Sequence, residues 1–167
     1  MENTKRTYRS LTLLICGFLS GFLATLTFHQ ITVWILWIAT IIPFSPYKMT
    51  ATAPWGIPAV FSLALWGGVW GIILGLILAR SKRRFAYWVK AFGFGAIFPS
   101  LVALLIVLPL KGHPLAGNWH WPLIAAVFFI NGMWGIGTGF FLKMFLRLPR
   151  SRRLPASECS PGMLCEQ

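Results

Sequence analysis

Four stretches of this sequence contain no charged side chain over the length that a helix needs to cross a bilayer. They cover residues 11–28, 57–79, 91–110 and 121–142. A hydrocarbon core of roughly 30 Å requires about 20 apolar residues in a helix. The composition agrees, since 57% of the residues are hydrophobic and only 11% are charged, which is outside the usual range for a soluble domain. The sequence therefore predicts an all-α integral membrane protein with four transmembrane helices.

The basic residues lie almost entirely at one set of window ends. Of the 15 Lys and Arg residues, all but Lys48 and Lys111 precede the first window, follow the fourth or lie between the second and the third. By the positive-inside rule both termini are predicted to be cytoplasmic, with residues 1–10 as a short N-terminus and residues 148–167 as a basic, disordered tail. Anionic lipid headgroups attract such cations by about 1 kcal/mol each. The net charge of +12 therefore predicts a lipid bilayer as the partner, and no nucleic acid.

The second and fourth windows are alike when the sequence is shifted by 64 residues. "WGIPAVFSLALWGGVWGIILGLIL", from Trp55, and "WHWPLIAAVFFINGMWGIGTGFFL", from Trp119, share eight identical positions without a gap, including two Trp pairs and one Pro pair. Both windows run from outside to inside in the predicted topology, so we predict two parallel, duplicated helical hairpins. The first and third windows are alike only in the small residues and phenylalanines of "CGFLSGF" and "FGFGAIF".

A shorter apolar stretch, residues 31–42, lies in the connection between the first two windows. Twelve residues are too few to cross a bilayer, and a further span would turn the later basic clusters outward. We therefore predict an interfacial or re-entrant segment against the outer leaflet. The prolines that follow it predict an irregular loop.

Glycines recur at helical spacing in both duplicated windows. The predicted packing faces consist of Gly68, Gly71 and Gly75 in the second window and of Gly132, Gly135 and Gly139 in the fourth. Residues three and four apart share one face of a helix, and small side chains let a second membrane helix approach closely. These faces predict close helix packing and association, either as a homo-oligomer or with another membrane protein.

Four further residues are candidates for a polar site within the membrane. They are Trp70 and Trp134, which lie deep in their windows, and the polar pair Asn131 and Thr138. An indole N–H or an amide at that depth needs a hydrogen-bond partner. Two interpretations stay open, because these groups are suited either to hydrogen bonds between helices or to lining a path for a solute.

Titratable side chains are scarce where chemistry would need them. His29, His113 and His120 are weak candidates for a metal site, but the predicted topology places all three at the outer face, where haem ligation within the membrane is disfavoured. The chain has no Asp, and its acidic residues are confined to Glu2, Glu158 and Glu166. Carboxylate-based acid–base and metal catalysis therefore have no residues within the membrane domain, and we predict no enzymatic activity and no cofactor.

The segments "FHQITVWILWIATIIPFSPY", "WGIP", "LWGGVWG", "LKGHP" and "NGMWGIGTG" resemble those of an uncharacterised group of small bacterial inner-membrane proteins with four helices. The resemblance implies a location in the bacterial plasma membrane and no known activity. The expected function is that of a non-enzymatic accessory or structural component of a membrane complex. One alternative is a small transporter or channel subunit for a neutral or anionic solute, and another is a haem- or pigment-binding membrane protein.

Overall fold

The computed structural model of the chain describes residues 2–53, 56–81 and 83–147, with side chains from residue 10 onward. Trp55 and the predicted tail, 148–167, lie outside the described residues. Four helical segments are long and apolar enough to cross a membrane, and we call them spans 1 to 4: Ser10–Ile38, Ala59–Ala79, Arg84–Leu110 and Trp121–Arg147. The structure thus confirms the predicted helical class with four candidate membrane-spanning helices.

Span 1 is longer than the sequence window that predicted it. It begins at Ser10 within helix α1 (Glu2–Ala24) and continues through a π-helical turn (Thr25–His29) and helix α2 (Gln30–Ile38). No glycine or proline occurs between residues 22 and 42, so nothing in this stretch ends the helix, and the π turn accommodates an extra residue without breaking it. The structure therefore does not separate the segment 31–42 from the first window, since only its last residues, 39–42, leave the helix. Its placement against the outer leaflet stays a prediction.

A loop connects span 1 to span 2 and is fastened to span 1 by Tyr47. The backbone N–H of Tyr47 donates to Gln30 Oε1 at 2.8 Å, and its hydroxyl donates to the carbonyl oxygen of Leu26 at 2.9 Å. The loop ends in a two-stranded antiparallel hairpin, β1 (Ala51–Thr52) and β2 (Ile57–Pro58). Span 2 is the single helix α3 (Ala59–Ala79), which follows the hairpin directly.

Spans 3 and 4 form the second half of the bundle. Span 3 comprises α4 (Arg84–Val102), a π-helical turn (Ala103–Val107) and the short α5 (Leu108–Leu110). Pro99 lies inside α4, where it has no backbone N–H to donate. Span 4 is the single helix α6 (Trp121–Arg147), the longest helix in the described chain.

The helices pack as two close pairs that meet along one side. Span 1 lies antiparallel to span 2, and span 3 lies antiparallel to span 4. Span 1 also packs along span 4. The buried cluster between the pairs contains side chains from all four spans: Ala24, Leu74, Leu78, Tyr87, Ala91, Phe94, Trp134 and Leu142. Spans 1 and 4 therefore hold the two pairs together.

Candidate functional site

Backbone contact between glycines joins spans 1 and 2. A methyl group on Gly21 would lie 2.8 Å from Gly71 Cα and closer still to the carbonyl oxygen of Gly67. A methyl group on Gly17 would lie 3.0 Å from the carbonyl oxygen of Gly71. The two backbones are in direct contact, so no larger residue fits between them.

Spans 3 and 4 repeat this contact. A methyl group on Gly95 would lie 3.0 Å from Gly135 Cα and would collide with the carbonyl oxygen of Asn131, while one on Gly135 would collide with the carbonyl oxygen of Ala91. In each pair a phenylalanine of the first helix covers a glycine of the second, Phe18 over Gly68 and Phe92 over Gly132.

The repeated contacts define a common register for the two pairs. Gly68 and Gly132 are 64 residues apart, as are Gly71 and Gly135. In the partner helices Gly17, Phe18 and Gly21 correspond to Ala91, Phe92 and Gly95, an offset of 74. The two segments compared in the sequence, "CGFLSGF" and "FGFGAIF", are offset by 76. The sequence alignment of those two segments is therefore shifted by two residues from the correspondence that the helix contacts define.

All six predicted packing glycines contact other helices of the same chain. Besides the contacts above, Gly75 faces Gly17, and Gly139 faces the ring of Tyr87, where a methyl group would lie 3.2 Å from Tyr87 Cε1. Association with a second protein through these faces would therefore have to displace contacts that the chain makes with itself.

Trp134 connects span 4 to span 1. Its side chain is only 2% exposed, and its indole N–H donates to the carbonyl oxygen of Gly21 at 3.0 Å. The same carbonyl accepts the hydroxyl of Thr25 at 2.9 Å. Thr138 lies one turn after Trp134, and its buried hydroxyl donates to the carbonyl oxygen of Trp134 at 3.0 Å. The indole N–H therefore has its partner in the neighbouring helix.

Trp70, at the equivalent place in span 2, makes a different contact. Its ring packs edge to face against Phe94 of span 3, with centroids 5.9 Å apart. Its side chain is partly buried, and within the described part of the chain its N–H has no hydrogen-bond partner. The two tryptophans are thus equivalent in sequence and different in their hydrogen bonds.

Asn131 bridges spans 3 and 4. Its Nδ2 donates to Ser100 Oγ and to the carbonyl oxygen of Val127, both at 3.1 Å. Ser100 is fully buried, and its hydroxyl donates to the same Val127 carbonyl at 3.3 Å. The sequence reasoning did not include Ser100, although a hydroxyl inside an apolar window was the available signal. It also missed Gln30, a second side-chain amide within a span, because the predicted window ended at residue 28.

The three histidines are not brought together. His29 lies in the π turn of span 1, where its Nδ1 is buried without a hydrogen-bond partner among the described residues. His113 and His120 are exposed in the connection between spans 3 and 4. Within residues 2–53, 56–81 and 83–147, no group of three or more His, Cys, Asp or Glu side chains is suitably placed for a metal ion.

Comparisons with protein families, with curated proteins and with solved structures found no match for this chain.

Proposed function

We propose that this protein is a non-enzymatic, multi-pass component of a bacterial inner membrane, acting as an accessory or structural subunit of a membrane complex. The observation that supports this role is that the predicted polar residues within the spans, apart from Trp70, make hydrogen bonds inside the chain. Asn131 donates to Ser100 of span 3 and Trp134 to the Gly21 carbonyl of span 1, while the second bond of Asn131 and the hydroxyl of Thr138 stay within span 4. Groups engaged in this way fix the relative positions of the helices.

The same hydrogen bonds weigh against the transport alternative. A solute path needs polar side chains that can exchange partners with the solute, and each hydrogen bond broken for that exchange must be replaced. The Asn131 amide instead donates to Ser100 Oγ and to the Val127 carbonyl, which also accepts the Ser100 hydroxyl, and the Trp134 ring is enclosed between helices. Of the four candidate residues, only Trp70 has a side-chain donor without a partner among the described residues, so it is the residue that a transport function would be expected to use.

The proposal includes two parallel, duplicated hairpins with both termini in the cytoplasm. The register common to both helix pairs supports duplication, because unrelated pairs have no reason to place Phe18 and Phe92 on matching glycines. The distribution of basic residues supports the orientation. A reporter fused after Arg84 is expected to be cytoplasmic, and a periplasmic reporter would contradict the orientation.

Partners of such a component would bind to the outward faces of the bundle. The packing glycines are covered within the chain, whereas large apolar side chains on the outside of span 2, such as Trp66 with 64% of its surface exposed, are not. We propose that lipid and a second membrane protein, or a second copy of this chain, share this outer surface.

The test is purification of the full chain in its native lipid, with quantification of every protein that remains bound. The proposal expects a partner at fixed stoichiometry, or a defined homo-oligomer, and no solute flux after reconstitution into proteoliposomes. Flux that the variant Asn131→Leu abolishes would favour the transport alternative, and a visible absorption band would favour the haem or pigment alternative. A monomer with no bound protein would refute the accessory role.

A further inference from the structure

A pocket of about 520 Å³ opens at the basic end of spans 3 and 4. It is lined by the link before span 3, the first turn of that helix and the last turn of span 4: Ser81, Arg83, Arg84, Tyr87, Lys143 and Arg147. A volume of this size falls in the range of small-molecule sites. Four of the six lining side chains are cationic.

The Lys143 ammonium group is held in place by aromatic rings. Its Nζ lies 3.8 Å from the ring centroid of Tyr87 and 4.4 Å from that of Trp88, and the two rings meet edge to face. The Tyr87 hydroxyl donates to the carbonyl oxygen of Gly139 at 2.7 Å, which fixes the ring against span 4. A cation over two aromatic faces is attracted by both, so this ammonium group is positioned before any ligand arrives.

The positive charge in the pocket is not balanced by acidic residues in the neighbouring sequence. Between Glu2 and Glu158 the chain contains no acidic residue at all, so among the side chains that the structure describes no carboxylate offsets the mutual repulsion of Arg83, Arg84, Lys143 and Arg147. Cations gathered in this way are stabilised by an anion that contacts several of them.

Two neutral features also provide hydrogen-bond donors. Ser81 Oγ is buried and has no hydrogen-bond partner among the described residues. Helix α4 begins at Arg84 with no side chain capping its N-terminus, so its first backbone N–H groups are available to an acceptor. A helix N-terminus favours negative charge, and here it coincides with the cationic side chains.

We propose that this pocket binds a phosphate group, held by Lys143 and the three arginines with Ser81 as a further donor. Arginine and lysine together match the charge and the several oxygens of a phosphate. The group can belong to an anionic phospholipid or to a soluble phosphate compound. Phe85, 83% exposed, and Leu146, 49% exposed, flank the cationic residues in sequence, and apolar side chains beside a phosphate site favour the lipid.

The experiment uses the purified full chain and two probes. Nanodiscs containing phosphatidylglycerol or only phosphatidylcholine test the lipid, with retained lipid identified by native mass spectrometry. Calorimetric titration with inorganic phosphate in detergent tests the soluble source. Lys143→Gln is compared with Lys90→Gln, which removes the same charge from the same end of the bundle outside the pocket. Arg147→Gln is the second variant, because its exposed position makes it tolerant of substitution.

The expected result is one retained phosphatidylglycerol or one bound phosphate per chain, with binding at least about tenfold weaker in Lys143→Gln and Arg147→Gln than in Lys90→Gln. Retained phosphatidylglycerol identifies the lipid as the source, and phosphate binding without retained lipid identifies a soluble compound. Equal loss in all three variants would show diffuse attraction and overturn the proposal, as would binding of neither probe.

The inference rests on the membrane location in the proposed function and not on the accessory role. Its readouts are lipid and phosphate bound by the isolated chain, whereas the accessory role is tested by bound protein. Failure of one test therefore leaves the result of the other unchanged.

Discussion

Two neighbouring glycines of span 3 offer a direct test of the close helix contact. Gly95 faces span 4, and a methyl group added there would lie 3.0 Å from both Cα and the amide nitrogen of Gly135. Gly93, two residues earlier in the same helix, has no atom within 4 Å of the position a methyl group would take. The variants Gly95→Ala and Gly93→Ala therefore make the same chemical change, one in a crowded position and the other in open space.

The expected difference follows from that distance. Ordinary contacts of a Cβ atom begin at 3.4 Å, so the backbones must separate by at least 3.4 − 3.0 = 0.4 Å to clear Gly135, and by more to clear the carbonyl oxygen of Asn131, which lies closer still. Backbone atoms cannot rotate aside, and overpacking of this kind costs about 1–3 kcal/mol. Both variants gain about 1 kcal/mol from the higher helix propensity of alanine, and this gain cancels when they are compared. We therefore expect Gly95→Ala to be about 1–3 kcal/mol less stable than Gly93→Ala.

Thermal unfolding in a mild detergent, followed by circular dichroism and tryptophan fluorescence, measures this difference. At roughly 2–4 °C per kcal/mol for a chain of this size, a cost of about 2 kcal/mol lowers the midpoint by about 4–8 °C. Equal midpoints for the two variants would refute the inference that spans 3 and 4 are in backbone contact at Gly95. They would also weaken the common register on which the proposed duplication rests.

Two further predictions concern hydrogen bonds in and beside span 1. Trp134→Phe removes the bond to the Gly21 carbonyl and is expected to lower stability by about 0.6–1.7 kcal/mol, whereas Trp70→Phe, whose N–H has no partner in the described chain, is expected to cost less. The same thermal assay compares them, and equal losses would contradict the assigned bond. Tyr47→Phe removes the bond to the Leu26 carbonyl, worth about 0.5–1.5 kcal/mol, so hydrogen exchange measured by mass spectrometry should quicken several-fold in residues 43–50. Unchanged exchange there would show that the hydroxyl does not fasten the loop.

The existence of the four spans could be predicted from the sequence because apolar length is a local property. Three of the predicted windows each lie within one observed span, and the window 57–79 matches span 2 except for its first two residues, which form β2. The end of span 1 could not be located in the same way. The predicted window 11–28 ends before His29 and Gln30, which are the first strongly polar residues after it. In the structure the helix continues through both, since no glycine or proline ends it there. The Gln30 side chain accepts a hydrogen bond from the Tyr47 backbone, a partner 17 residues away that the local sequence does not reveal.

In the candidate site, the donors could be predicted from the sequence and their acceptors could not. Asn131 and Trp134 were identifiable as groups in need of partners, because an amide and an indole N–H are unusual at their depth. Their acceptors were not identifiable. Ser100 and the Gly21 carbonyl lie 31 and 113 residues away from their donors, and no periodicity within one helix relates positions on different helices.

The sequence by itself determined that this chain has four long apolar helices, and that two of them carry the same pattern of glycine and tryptophan. Apolar length and spacing are properties of each segment alone, so they can be read without knowing what the segment touches. Only the tertiary structure decided which helix each glycine faces, that the two equivalent tryptophans differ in their hydrogen bonds, and that cations at the start of span 3 and at the end of span 4 line one pocket. These facts depend on how the helices pair and cross, and that arrangement is fixed by contacts between residues far apart in the chain.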